Sequence, residues 1–355
     1  MKRPRFLGII IVLSILFVFA GLGTVFGQAK PMVINMGWQP EHETFIPWYA
    51  MQKGWDKEAG MEFKLNYFDS GMAIWEALPA GQWVISSLGG VPMVVGAVRY
   101  GSYLIAIAND ESVTNAVLVR GDSPIMKTKG WNKKHPDVYG APDLIKGKTI
   151  LVTTVSSAHY AMSNWLKVFG LKDKDVVVKN MDQAQAVAAF EKGIGDMVVL
   201  WAPHMFTGMA KGWKVAGDVK SCGAALPVVI AADKKFCDEN PAVVGKFLKV
   251  FFRGIDLIRK EGTNLLPEYK RFYKEWAGMD MTDEMAKLDF VNHPVFNQQE
   301  QLKLFAKPSK GDSTVEAWQR GITNFFTEQG RFKPEERDKV FKTPYITDKF
   351  IKLAK

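Results

Sequence analysis

The residues between Val152 and His159, Thr153-Thr154-Val155-Ser156-Ser157-Ala158, crowd four hydroxyls and no charge into one short stretch. Before them Thr149-Ile150-Leu151-Val152 reads as a buried strand. After them Met162, Trp165, Leu166 and Phe169 recur at helical spacing. A strand that turns through Ser/Thr into a helix leaves the first helical N–H groups unpaired, with the positive end of the helix dipole behind them. That arrangement suits a small anionic or polar group, and hydroxyls add donors without filling the space. The competing reading is local: Ser156 or Ser157 is the N-cap and closes the helix on itself.

The elements needed to position such a turn recur along the chain. Val33–Gly37 is strand-like, Phe45–Ala59 helical with Gly60 as its stop, and Glu62–Phe68 alternates as a strand. Asp69-Ser70-Gly71 opens a helix, Trp83–Ser86 is a strand, and Leu88-Gly89-Gly90-Val91-Pro92 turns into another helix. Leu104–Ala108 and Ala116–Arg120 are further strands. Ile125–Pro142 reads as an exposed Lys-rich loop. A second alternating set follows, with strands at Thr149, Val176 and Met197 and a helix capped by Asp182. Leu226–Ala231 is the return crossing, and helices follow over Val243–Arg259, Leu265–Trp276, Asp283–Phe290 and Val315–Gln329. Alternation of this kind predicts mostly parallel sheets with helices on both faces, and ligands at the carboxyl ends of the strands. Three of those ends carry Ser-Gly, Gly-Gly and Ser-Ser.

Composition sets the outer bounds. A chain of 355 residues, 47% hydrophobic and 23% charged, has room for two domains. The net charge of +9 is spread along the chain without a zinc-finger or RNA-binding motif, so nucleic acid is not expected as a partner. Residues 1–29 read as a signal peptide. Lys2, Arg3 and Arg5 precede an apolar run, and Gly27-Gln28-Ala29 offers small residues for cleavage. An uncleaved anchor is the alternative, because the apolar run continues to Phe26. Export permits a disulfide between Cys222 and Cys237, but a strand between them would hold the sulfurs apart. The five histidines show no metal-ligand spacing, so neither a metal nor a cofactor is predicted.

The run Pro47-Trp48-Tyr49-Ala50, Gly54-Trp55, Gly60-Met61-Glu62-Phe63 and Phe68-Asp69-Ser70-Gly71 resembles the opening of periplasmic solute-binding proteins of ABC importers, in the nitrate, sulfonate and taurine class. Gly89-Gly90-Val91-Pro92, Asp143–Lys148, Ser156–Tyr160, Gly195-Asp196, Trp201-Ala202-Pro203 and Tyr345–Lys355 continue the resemblance in order. At Trp201-Ala202-Pro203 this chain lacks the acid that the family often has. The resemblance implies a two-lobed α/β fold of the periplasmic binding protein type II, with a two-strand hinge. Lobe I would comprise 30–115 and 226–355, and lobe II 116–225. It further implies a periplasmic monomer that closes on a small anionic or zwitterionic solute and delivers it to ABC permease subunits. Ligand contacts would fall on Trp38, Gln39, Ser70, Gly71, Gly89, Gly90, Asn109, Ser156, Ser157, His159 and Trp201.

Each of those residues has a plainer role open to it. Trp38 and Trp201 could wall a solute or simply pack, and His159 could donate to an anion, cap or pack. Glu41, Glu43 and Asp69 could receive a ligand amine, although surface carboxylates are the commoner case. An enzyme of the same fold remains open, resembling a pyrimidine-precursor synthase. A sulfinate desulfinase would need an early cysteine, and none precedes Cys222. A periplasmic sensor lobe is the third reading.

Overall fold

The structure, a computed structural model, describes residues 30–355. The expected signal peptide lies outside the described residues. Ten strands run in chain order as β1 (Met32–Trp38), β2 (Met61–Tyr67), β3 (Ile85–Gly89), β4 (Ser102–Asp110), β5 (Asn115–Val119), β6 (Thr149–Val152), β7 (Val177–Asn180), β8 (Met197–Trp201), β9 (Lys214–Asp218) and β10 (Pro227–Asp233). They form two five-stranded sheets, ordered β2-β1-β3-β10-β4 and β7-β6-β8-β5-β9. Within them β1 pairs parallel with β2 and β3, and β6 pairs parallel with β7 and β8. The remaining strands make the sheets mixed: β10 is antiparallel to β3 and β4, and β5 to β8 and β9. The cause is the path of the chain, which leaves the first sheet from β4 straight into β5 and returns to it through β10. Strands β3, β5 and β8 are buried along their whole length, and so β8 throughout, and β5 after Asn115, read as continuous apolar runs rather than alternating ones.

The two passages between the sheets are laced together. Glu111 N–H donates to the Leu226 carbonyl at 2.9 Å, and Leu226 N–H donates to the Ser112 hydroxyl at 2.9 Å. Lys220 N–H reaches the Ser112 carbonyl at 2.9 Å. Away from these passages, the halves meet along an aromatic seam. Tyr160 packs edge-on against Phe325 at 5.0 Å, and His159 against Phe326 at 5.7 Å. Thus the helix Ser157–Val168 that follows β6 rests on the helices Gly90–Arg99 and Thr314–Glu328.

Several elements differ from the sequence expectation. The expected Phe45–Ala59 helix stops at Lys53, because Gly54 takes a left-handed φ of 71° and ends it; a short turn, Trp55–Glu58, follows. The 125–142 segment is not simply exposed. Ile125 and Val138 are buried, and Tyr139 N–H donates to the Ala216 carbonyl within β9 at 2.7 Å. The C-terminal helices span Pro241–Glu261, Leu266–Ala277, Asp283–Val291 and Thr314–Glu328, with Gln298–Phe305, Pro334–Lys342 and Lys349–Leu353 in addition. Cys222 and Cys237 are free, buried, and packed in separate cores; burial pushes both thiols up to about 12. No described helix is long and apolar enough to cross a membrane.

Candidate functional site

Loops at the carboxyl ends of strands from both sheets converge on one narrow, partly open space. Gln39 follows β1, Gly89 ends β3, Ser156 and Ser157 follow β6, and Trp201 ends β8. Glu111 enters from the passage between β4 and β5; Glu41, Gly71 and Pro92 complete the lining. The cavity measures about 20 Å³, room for about one water and no more. Its walls touch: a Cβ on Gly89 would stand 2.3 Å from Ser157 Oγ, and one on Gly71 2.5 Å from Pro92 Cγ. The Pro92 ring leaves no room for a side chain at Gly71, whereas at Gly89 the Ser157 hydroxyl must turn aside, or the walls part, to admit one. In both places the constraint is close approach rather than backbone angle.

Of the sequence-predicted contacts, Gln39, Gly71, Gly89, Ser156, Ser157 and Trp201 line this cavity. The others lie behind it. Trp38 is fully buried against Phe251. Ser70 caps the helix Gly71–Ala77 by accepting Ala73 N–H. Gly90 packs against Gln319 and Pro227, and Asn109 is fully buried with its amide unpartnered among the described residues. His159 has both ring nitrogens engaged. Its Nδ1 accepts Val155 N–H at 3.1 Å, which leaves the proton on Nε2 to donate to Asp173 at 2.7 Å.

The hydroxyl turn itself is held by the protein. Ser156, not Ser157, is the N-cap: its oxygen accepts His159 N–H at 3.4 Å and donates to the Thr153 carbonyl at 2.6 Å. Val155 sits at φ 56°, a left-handed conformation that a β-branched residue rarely adopts. Its N–H bond to His159 is part of what holds it there.

The main departure is the burial of carboxylates. Glu41, Glu43 and Glu111, of which the first two read in the sequence as receivers of a ligand amine or, more commonly, surface acids, are 5%, 1% and 2% exposed. One oxygen from each lies within 4.8 Å of the others. Glu41 accepts Gln39 Nε2 at 2.8 Å, Glu43 the Ser87 hydroxyl at 2.9 Å, and Glu111 Asn115 Nδ2 at 3.1 Å. Among the described residues, Glu43 Oε2 and Glu111 Oε1 find no hydrogen-bond partner. Burial, and then repulsion from Glu111 and Glu43, holds the Glu41 carboxyl well above the usual range. Burial followed by repulsion from Glu43 does the same to Glu111, and burial pushes Glu43 up to about 7. Behind them His42 stacks on His293 at 4.8 Å and bonds Tyr269 at 2.9 Å; burial keeps His42 well below its ordinary range, so it supplies no counter-charge. Three carboxylate oxygens could hold a hard cation or receive N–H donors. The signal available in the sequence is position: Glu111 directly follows the carboxyl end of β4, and Glu41 lies just beyond that of β1, after Gln39 and Pro40.

Residues 27–264 match the sequence profile of the NMT1-like family. A Brachyspira hyodysenteriae protein, provisionally named an ABC transporter periplasmic binding protein, is 26% identical over 71% of this chain and 72% of its own length. The taurine-binding periplasmic protein of Escherichia coli is 28% identical over 65% and 68%. Among solved structures, the alkanesulfonate-binding protein of Xanthomonas axonopodis pv. citri bound to MOPS superposes with a TM-score of 0.69. It shares 16% identity over 90% of this chain and 99% of its own.

Proposed function

The chain belongs to the NMT1-like family, and from that premise we propose that it is the solute-binding component of an ABC importer. In this reading it is a periplasmic monomer that presents a small solute to membrane permease subunits. Residues 30–115 and 226–355 form one lobe and 116–225 the other, and the laced passages at Glu111–Asn115 and Val219–Leu226 are the hinge. The observation that carries it is the cavity where strand-end loops of both sheets meet around Gln39, Glu111, Ser157 and Trp201. A solute held there touches both lobes and so favours their closed arrangement through its differential affinity. At about 20 Å³ the space is too small for a whole solute, so the lobes must part to admit one. The names of relatives point to a taurine-like zwitterion or an alkanesulfonate. We also propose binding without turnover. No cysteine lines the cavity, and both ring nitrogens of His159 are engaged outside it.

A thermal-shift screen of taurine, alkanesulfonates, nitrate, small amines and aromatic acids tests this reading. A ligand at a hundred times its dissociation constant stabilises by about 2.7 kcal/mol. X-ray scattering should then show a more compact particle than in the open, solute-free state. Stabilisation by a compound that the protein chemically converts would replace the receptor with an enzyme.

A further inference from the structure

We propose that the solute carries a cationic nitrogen, an ammonium or amidinium, seated between the carboxylates of Glu41 and Glu111 with the Trp201 ring as a wall. This deepens the receptor reading and rests on it. Both carboxylates line the cavity, and the other polar lining residues, Gln39, Ser156 and Ser157, are neutral. Among the described residues no lysine or arginine lines it. Glu43 stands just behind, with one oxygen within 4.8 Å of the other two glutamates. One oxygen of each lining carboxylate already accepts a protein donor, from Gln39 and Asn115. Glu111 Oε1, on a side chain 2% exposed, accepts none among the described residues. A buried acceptor of that kind is costly unless something donates to it, and a ligand N–H does so.

Three buried carboxyls also need neutralising. Burial and mutual repulsion raise all three above the ordinary carboxylate range, so their charged form is costly without a partner. A nitrogen cation beside them favours that charged form. A purely anionic head could be seated only while the two lining carboxyls, Glu41 and Glu111, keep their protons, whereas a cationic nitrogen pairs with their charged form. A metal ion could use three carboxylate oxygens, but Glu43 is not among the lining residues, whereas Trp201 is. An aromatic wall favours an organic cation over a hydrated ion.

The test is calorimetry on the mature chain at neutral pH with ligands matched in body and differing in head. Benzylamine and benzamidine are compared with benzyl alcohol and benzenesulfonate, taurine with ethanesulfonate, and calcium, magnesium and manganese chlorides are run separately. The cationic or zwitterionic member should bind at least about tenfold more tightly than its partner, the range of one charge-assisted hydrogen bond. Glu41→Gln and Glu111→Gln keep the side-chain shape and should each weaken that binding by about tenfold or more. Unliganded, both variants should melt at or above the parent, which shows that they fold. If ethanesulfonate binds as well as taurine, or if amines bind both variants as tightly as the parent, the cationic seat is wrong and the receptor reading stands. Saturable metal binding that both variants lose, with no amine binding, makes this a metal site and overturns the proposal. If no compound in the series binds, the seat and the receptor reading fail together.

Discussion

The hydroxyl of Ser157 and the α-carbon of Gly89 leave no room between them for a methyl group: a Cβ at Gly89 would stand 2.3 Å from Ser157 Oγ. The two residues come from different sheets, Gly89 at the end of β3 and Ser157 just after β6. Gly89 has φ −59°, which any residue tolerates, so the constraint is the facing loop and not the backbone.

Gly89→Ala should therefore act on closure rather than on folding. Overpacking of a tight contact costs about 1–3 kcal/mol, and here the lobes can yield by parting. The expected result is less compaction on adding solute and a proportionate loss of affinity. Ser157→Ala in the same chain removes the clashing oxygen and leaves Ser157 Cβ at 3.7 Å, ordinary contact. The double variant should regain that compaction; if it compacts as little as Gly89→Ala, the contact is not what limits closure.

His159 is placed to hold the turn and not the solute. Its Nδ1 takes the N–H of Val155, whose φ of 56° is costly for a β-branched residue, and its Nε2 donates to Asp173. Burial alone would raise the Asp173 carboxyl, but the His159 and Ser163 hydrogen bonds outweigh it and hold it below its ordinary range. His159→Ala should cost about 1–3 kcal/mol in urea unfolding, the cost of leaving buried partners unpaired. Asp173 contributes stability above its unfolded pKa and loses it as pH falls through the folded value. The variant should therefore lose less stability on acidification than the parent does.

Capping separates the two serines. Ser156→Ala removes the side chain that accepts His159 N–H and should cost about 1 kcal/mol. The Ser157 hydroxyl has no hydrogen-bond partner among the described residues, so Ser157→Ala should leave the melting temperature nearly unchanged. Equal losses in the two variants would mean that the hydroxyls share the cap.

What the sequence made legible follows from the range of each interaction. The strand–turn–helix units, the glycine turns and the hydroxyl stretch are local patterns, and Gln39, Gly71, Gly89, Ser156, Ser157 and Trp201 all meet at the cavity. Capping is also local, yet Ser156 and Ser157 are both good caps, and only backbone geometry separates them. The carboxylate cluster is different in kind. Glu41 and Glu43 read most simply as surface acids until β1 places them beside Glu111, which arrives by way of β4. His159 stands at a helix start where an anion could sit, and only the fold brings Asp173 to its ring. The helix break at Gly54 was legible in principle, but Gly60 offered an equally good stop further on.

The buried glutamates add to the solute-free protein a pH dependence of unusual sign. Burial pushes Glu43 up to about 7, while in the unfolded chain it titrates near an ordinary glutamate value. A carboxyl whose folded pKa is raised binds its proton more tightly in the native state. It is then neutral in both states at low pH, and it costs stability as pH rises from the unfolded value through the folded one. The groups facing it are Glu41, Glu111 and Asp289, with the Tyr273 phenol and the uncharged His42 ring behind. Each of the three acids is itself raised by burial, so the cluster titrates as a unit and pushes in the same direction. Carboxyls held low, such as Asp173, Glu316 and Glu336, slope the other way but do so below the ordinary carboxylate range. Buried His42 and His204, held below the ordinary histidine range, also slope the other way and add stability as pH rises to about 6.5. The cluster therefore shows as a difference between two proteins. Between about pH 5 and 8 removing the Glu43 charge should leave Glu43→Gln gaining more, or losing less, stability with rising pH than the parent. Urea unfolding of both proteins across that window reads the difference directly. Parallel curves would mean that Glu43 is ionised throughout and is neutralised by a cation already seated in the cleft.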